Sequence, residues 1–108
     1  VINPQLLKQT IEGNIAQALS RATYEEVKFS KENVTSVDWE TYPILDIMDV
    51  PAQVDIVLIN RQEIPPNGAG EGSMRPVAGA IANAIFDATG IRIRQAPFTP
   101  ERIKERMV

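Results

Sequence analysis

Residues 68–90 read GAGEGSMRPVAGAIANAIFDATG, a glycine-rich loop that runs into a helix of small apolar residues. Ser73 and Pro76 are residue types that open helices, and Gly90 is the type that closes one, because it tolerates the left-handed conformation at a helix end. From Pro76 to Phe86 the run carries no charge and almost no bulk, the pattern of a helix buried on every side. Burial all round asks for more protein than the rest of a 108-residue chain readily supplies. Two readings follow. Either a partner surface is missing (a dimer, another subunit or the rest of a longer polypeptide), or small side chains simply let two helices pack closely.

Upstream, Asn3-Pro4 predicts a helix start, since the Asn side chain caps free amides and Pro has no amide to satisfy. Leu7, Ile11, Ile15 and Leu19 recur every four residues, so the first helix is expected to end near Ala22 or Thr23, with the unfavourable Gly13 in its middle. From Glu25 the period changes to two. Val27 and Phe29 alternate with polar neighbours, Lys31-Glu32-Asn33 makes a turn, and Val34 to Trp39 completes a predicted hairpin. Gln53 to Asn60, nearly apolar on both faces, reads as a central strand, and Ile91 to Arg94 as a short one. Arg61 to Ser73 is a turn-rich loop. Thr99-Pro100-Glu101 caps a last amphipathic turn or two reaching Met107. The fold expected is α+β: two main helices on a small, mostly antiparallel sheet, in the order α-β-β-β-α-β-α.

Composition narrows the chemistry. With 44% hydrophobic and 23% charged residues the chain is an ordinary globular sequence, which excludes disorder and low-complexity scaffolding. No uncharged run approaches the roughly 20 residues of a membrane span. The absence of Cys and His removes thiolate nucleophiles, disulfides, imidazole bases and protein-ligated iron–sulfur clusters. Glu25 to Glu63 is acidic, opposed only by Lys28, Lys31 and Arg61, which argues against nucleic acid as a partner. Arg92, Arg94, Arg102, Lys104 and Arg106 read as solvated faces and helix-end charges.

The remaining chemistry converges on the loop Asn67–Ser73. Alternate glycines permit positive φ and a close approach to backbone amides, and a helix N-terminus follows. A phosphate cradle is disfavoured because Glu71 puts a fixed anion at its centre and no phosphate-loop Lys is present. Glu71 is therefore either a general base presented to a bound electrophile or metal-bound water, or a solvated loop acid. Asp46 and Asp49 lack a calcium-loop pattern and read as exposed.

The stretch from Gly68 to Gly90, followed by Ile91-Arg-Ile-Arg and Pro97-Phe-Thr-Pro, resembles the C-terminal end of the molybdenum hydroxylases. These are the molybdopterin-binding large subunits of the xanthine dehydrogenase and aldehyde oxidase family, and the likeness is strongest to the isoquinoline oxidoreductase and nicotinate dehydrogenase branch. Val1-Ile-Asn-Pro and Ile11-Glu-Gly13 resemble the family's Asn-Pro and Glu-Gly helix, so the likeness covers essentially the whole chain.

The resemblance implies that residues 1–108 are the C-terminal part of a molybdopterin-binding domain, a fragment inactive alone. The parent would oxidise an aldehyde or N-heterocycle with water-derived oxygen. Glu71 matches the family's catalytic glutamate, the general base toward metal-activated water; Gly70 and Gly72 would let the loop approach the cofactor, expected as a dinucleotide form of molybdopterin. No cofactor is expected on the isolated fragment. Partners implied are the remainder of the large subunit, an iron–sulfur subunit or domain as electron acceptor, and a small-molecule substrate. The compartment, bacterial cytoplasm or periplasm, stays open. Two departures stand out: Gly72 replaces a common Pro, and Thr10 stands where many relatives carry a cofactor-contacting Gln. The alternative is a non-catalytic ligand-binding or dimerisation module built on the glycine loop and the Pro76 helix.

Overall fold

The structure, a computed structural model, describes residues 1–107. Helix α1 spans Pro4–Thr23, as the Asn3-Pro4 signal predicts: the Asn3 side chain accepts a hydrogen bond from the Leu6 amide at 2.9 Å. Helix α2 covers Val77–Thr89 and stops at Gly90, whose φ of 74° is the left-handed cap conformation. A single 3-10 turn, Gly72–Met74, leads into it. Helix α3 is Pro100–Glu105, capped by the Thr99 hydroxyl, which accepts from the Arg102 amide.

The expected sheet is absent, which overturns the α+β reading: among the described residues the only β pairing is an isolated antiparallel bridge between Phe29 and Val34. The physical reason is visible in the would-be hairpin. Thr35 donates its amide to the Lys28 carbonyl at 2.8 Å, but the Lys28 amide goes to the Ser36 hydroxyl at 2.6 Å rather than to backbone. A side-chain oxygen thus takes the donor that would extend the ladder. The segment Gln53–Asn60 keeps the period of a strand, with Val54, Ile56 and Leu58 half-buried and Val57 and Ile59 exposed. It has no neighbouring strand, so its alternation describes one covered face rather than a sheet. Ile91–Arg94 likewise pairs with nothing regular.

Instead of crossing a sheet, the chain returns along α1. The Leu45 amide donates to Ser20 Oγ at 3.0 Å near one end of the helix. Residues 50–54 share a groove with Glu12, Gly13, Ile15 and Ala16. At the other end the Val1 ammonium donates to Asn60 Oδ1 at 2.6 Å.

The core is small. Ala22, Ile93 and Phe98 are buried together, with Ile81, Ala82, Ile85 and Ile103 packed around them, and the Phe98 amide donates to the Ala22 carbonyl at 2.7 Å. Arg102 clamps this end, donating to Glu26 at 2.6 Å and to the Pro97 carbonyl at 3.2 Å, so it is an ion-paired residue rather than a solvated one. Arg92 lies over the Phe86 ring, 3.6 Å from its centroid.

No residue of α2 is buried, so the chain as described does not enclose this helix. The surface area agrees. The structure exposes 8600 Å², whereas a compact chain of this length exposes about 6,000 Å². Its radius of gyration is 17.1 Å, against about 13 Å for a compact domain of this size.

Candidate active site

Glu71 sits at the junction of loop and helix, as the residue preceding the 3-10 turn, with φ −107° and ψ 20°. Gly70 before it has a φ of +50°, the one position in the loop where backbone geometry itself favours glycine. Gly72 has no such requirement, and a Cβ added at Gly68, Gly70 or Gly72 would meet nothing within 4 Å. The loop's space is open on its own side.

The Glu71 side chain is exposed, yet it borders a concave surface. A cleft of about 350 Å³ is lined by Ala18, Arg21 and Ala22 from α1, Glu71, Met74 and Arg75 from the loop, Ala78 from α2, and Ala96. Four of these are alanines: where α1 and α2 face each other, small side chains leave a hollow instead of filling it. The Glu71 carboxylate accepts no hydrogen bond from the helix amides that follow it, and it takes part in neither ion pair found among the described residues. Arg21 and Arg75 join neither pair, so the cleft carries one carboxylate and two guanidinium groups not neutralised by salt bridges. Such a wall can accept a proton at Glu71 and attract anionic groups at the arginines.

What holds the loop is a residue that sequence reasoning missed. Asn14, in the middle of α1, donates from Nδ2 to the Gly70 carbonyl at 2.9 Å and to Ser73 Oγ at 3.1 Å. A signal did exist: Asn14, Ala18 and Ala22 recur every four residues as a second stripe beside the apolar one, with a carboxamide at one end. Gly13, next to it, meets nothing within 4 Å of an added Cβ.

Other carboxylates and hydroxyls are committed elsewhere. Asp49 accepts from the Tyr24 hydroxyl at 3.0 Å, and this bond together with burial pushes the Tyr24 phenol up from its ordinary value. Tyr42 is raised in the same way by Glu25, at 2.8 Å. Asp46 accepts from the Met48 amide at 2.9 Å. Thr10 donates its hydroxyl to the Leu6 carbonyl at 2.9 Å, inside its own helix. Among the described residues no group of three or more His, Cys, Asp or Glu could hold a metal ion, and no helix is long and apolar enough to cross a membrane.

Comparison with known proteins gives these features a setting. Residues 1–51 match the model of a molybdopterin cofactor-binding domain, a span that includes α1 and stops short of Glu71. A nicotinate dehydrogenase subunit of Pseudomonas putida is 46% identical over 104 residues, covering 96% of this chain and 9% of that protein. The beta subunit of isoquinoline 1-oxidoreductase from Brevundimonas diminuta is 31% identical over 100 residues, covering 93% of this chain and 12% of its own length. The crystal structure of quinoline 2-oxidoreductase from Pseudomonas putida 86 superposes with a TM-score of 0.82 at 27% identity, over 99% of this chain and 14% of that one. The chain thus spans about a tenth of the length of the relatives it matches. Its likeness to much larger oxidoreductase subunits extends over nearly its whole length, and the chain belongs to the molybdopterin-binding family of xanthine dehydrogenase and aldehyde oxidoreductase large subunits.

Proposed function

We propose that residues 1–108 are the C-terminal part of a molybdopterin-binding domain in a large subunit that oxidises an aldehyde or N-heterocycle with water-derived oxygen, and that Glu71 is its general base. The observation that carries this reading is the placement of Glu71: a carboxylate without an ion-pair partner on a glycine-flanked turn, bordering a cleft. The surface left uncovered around α2 fits a chain enclosed by the remainder of such a subunit.

The residues present fit the cofactor in one respect. Among the described residues there is no metal ligand set, so these would not hold the metal, but the open space at Gly70 and Gly72 leaves their backbone accessible to a large group. When bound, the molybdenum carried by molybdopterin would activate water and take up the electrons of the oxidation. Glu71 accepts the proton released as oxygen attacks the electron-poor carbon. Ala18, Ala22 and Ala78 keep the cleft roomy, and Arg21 and Arg75 make it attractive to an acidic substrate such as the one that names the nicotinate relative. An iron–sulfur cluster accepting the electrons would lie in another subunit or domain, because this segment has no cysteine to bind one.

The test is Glu71→Gln in the full-length, cofactor-loaded enzyme. Removing a general base costs about 10²–10⁴-fold, so kcat is expected to fall at least a hundredfold while molybdenum content and folding stay near wild type. Retention of more than about a tenth of kcat, a loss under about 1.4 kcal/mol, overturns the assignment.

A further inference from the structure

A base on a flexible loop is useful only if something holds the loop. Glu71 stands between two glycines, and the backbone of such a segment has more freedom to lose on being fixed than any other. Its internal hydrogen bonds are local ones: the Gly68 amide donates to Asn67 Oδ1 at 2.9 Å, and the Met74 amide donates to the Glu71 carbonyl at 3.1 Å. Among the described residues, the hydrogen bonds that tie residues 67–73 to another element both come from the Asn14 carboxamide.

The chemistry of those two bonds is specific. A carboxamide nitrogen has two hydrogens, and here both are used, one on the Gly70 carbonyl at 2.9 Å and one on Ser73 Oγ at 3.1 Å. The Gly70 oxygen can only accept, which fixes the amide orientation with nitrogen toward the loop. The two acceptors bracket Glu71, one residue before it and two after. The anchor itself is rigid, because Asn14 lies in the interior of a 20-residue helix capped at its start by Asn3.

The geometry points to Asn14 as the residue that positions Glu71 for proton transfer, by tying to α1 the Gly70 carbonyl before the carboxylate and the Ser73 hydroxyl after it. This rests on Glu71 being the base. Asn14 does not touch the reacting atoms; it is a positioning residue, and its loss should be felt in turnover rather than in substrate binding, since a displacement of about 1 Å of a catalytic group costs on the order of 10²-fold in rate.

The experiment uses full-length, cofactor-loaded protein and the near-isosteric Asn14→Asp, which removes both donors. The expected result is a kcat lowered about 30- to 100-fold with KM changed less than about threefold. In the Asn14→Asp/Glu71→Gln double variant the losses should not multiply: turnover should match Glu71→Gln alone within about threefold, because a residue acting through Glu71 has nothing left to act on. A merely structural role gives multiplying losses instead and overturns the inference. The second readout needs no cofactor. Hydrogen exchange of the Glu71–Met74 amides should speed up about tenfold or more in Asn14→Asp while the α1 amides keep their protection. If Asn14→Asp does not fold, Ser73→Ala, which removes one of the two contacts from the loop side, should lower kcat about three- to tenfold with the same non-additivity. An Asn14→Asp enzyme within about threefold of wild-type kcat, or a foldable Ser73→Ala with additive losses, refutes the positioning role while Glu71→Gln still abolishes turnover. If Glu71→Gln keeps its turnover, the base assignment fails first and this inference falls with it.

Discussion

The cluster at the C-terminal end of α1 and the segment that returns along the helix are covered to different degrees. Near its C-terminus, Ala22 is buried with Ile93 and Phe98, and Arg102 is ion-paired to Glu26 across a long stretch of chain. Along the segment that returns over the helix, Trp39, Ile47, Met48, Val57 and Ile59 are each more than three-quarters exposed. Both regions carry apolar residues in regular patterns, but the first buries them inside the chain, whereas the second only half-covers alternate ones such as Val54, Ile56 and Leu58. Apolar periodicity therefore records which face gets covered, not by what. In the first region the cover is another helix and a turn of the same 108 residues; in the second it lies outside them if the chain is part of a larger subunit.

The largest effect that could break this comparison is a matched pair of truncations. Phe98→Ala removes a buried ring and should destabilise the isolated chain by about 3 kcal/mol in denaturant unfolding. Val57→Ala should change it by less than about 0.5 kcal/mol, since Val57 is 88% exposed. In the full-length protein the asymmetry should shrink, with Val57→Ala rising to about 1 kcal/mol or more once its face is covered. Equal costs in the isolated chain would mean that the segment packs on itself, contrary to this division.

A smaller effect sharpens the same contrast from the local side. Helix α1 begins where its sequence says because Asn3 satisfies the Leu6 amide, a bond made within four residues. Asn3→Ala should cost about 1 kcal/mol and fray the first turn, and Asn3→Asp should recover most of it, read by helical circular dichroism through a thermal melt. A change below about 0.2 kcal/mol would show that the return segment, through Asn60 on the Val1 ammonium, holds this end instead.

The same distinction explains what could be read from residues alone. Helix ends were legible because Asn3, Thr99 and Gly90 act on amides and carbonyls a few positions away. The absence of a sheet was not, because strand pairing is a long-range event. Gln53–Asn60 has the alternation of a strand, yet no neighbour arrives, and in the hairpin a single hydroxyl, Ser36, takes the amide that would have continued pairing. At the candidate site, Glu71 stood out through its glycine neighbours and the family resemblance. Asn14 did not, because its partners are 56 and 59 residues away, and the Asn14–Ala18–Ala22 stripe marks a face of the helix without marking what that face meets.

The exposed part of the return segment has its own means of order, and pH should reveal it. Between Val37 and Tyr42 the chain turns on Asp38, whose carboxylate accepts from the Thr41 amide at 2.9 Å and from the Thr41 hydroxyl at 2.8 Å. Those two bonds, the backbone one first, hold the Asp38 carboxyl below its ordinary value of 3.8. A lowered folded value means that the ionised form favours the turn. Its contribution is complete above the unfolded value near 3.8 and disappears as pH falls through the lower folded one. Acid should therefore loosen residues 37–42 while leaving the Ala22–Ile93–Phe98 cluster, which contains no titrating group, in place. Amide NMR would show it: the Thr41 N–H should shift with an apparent pKa below 3.8, and Asp38→Asn should abolish that titration. A midpoint at or above 3.8, or a concerted loss of the Phe98 contacts over the same range, would show that the two regions are not independent.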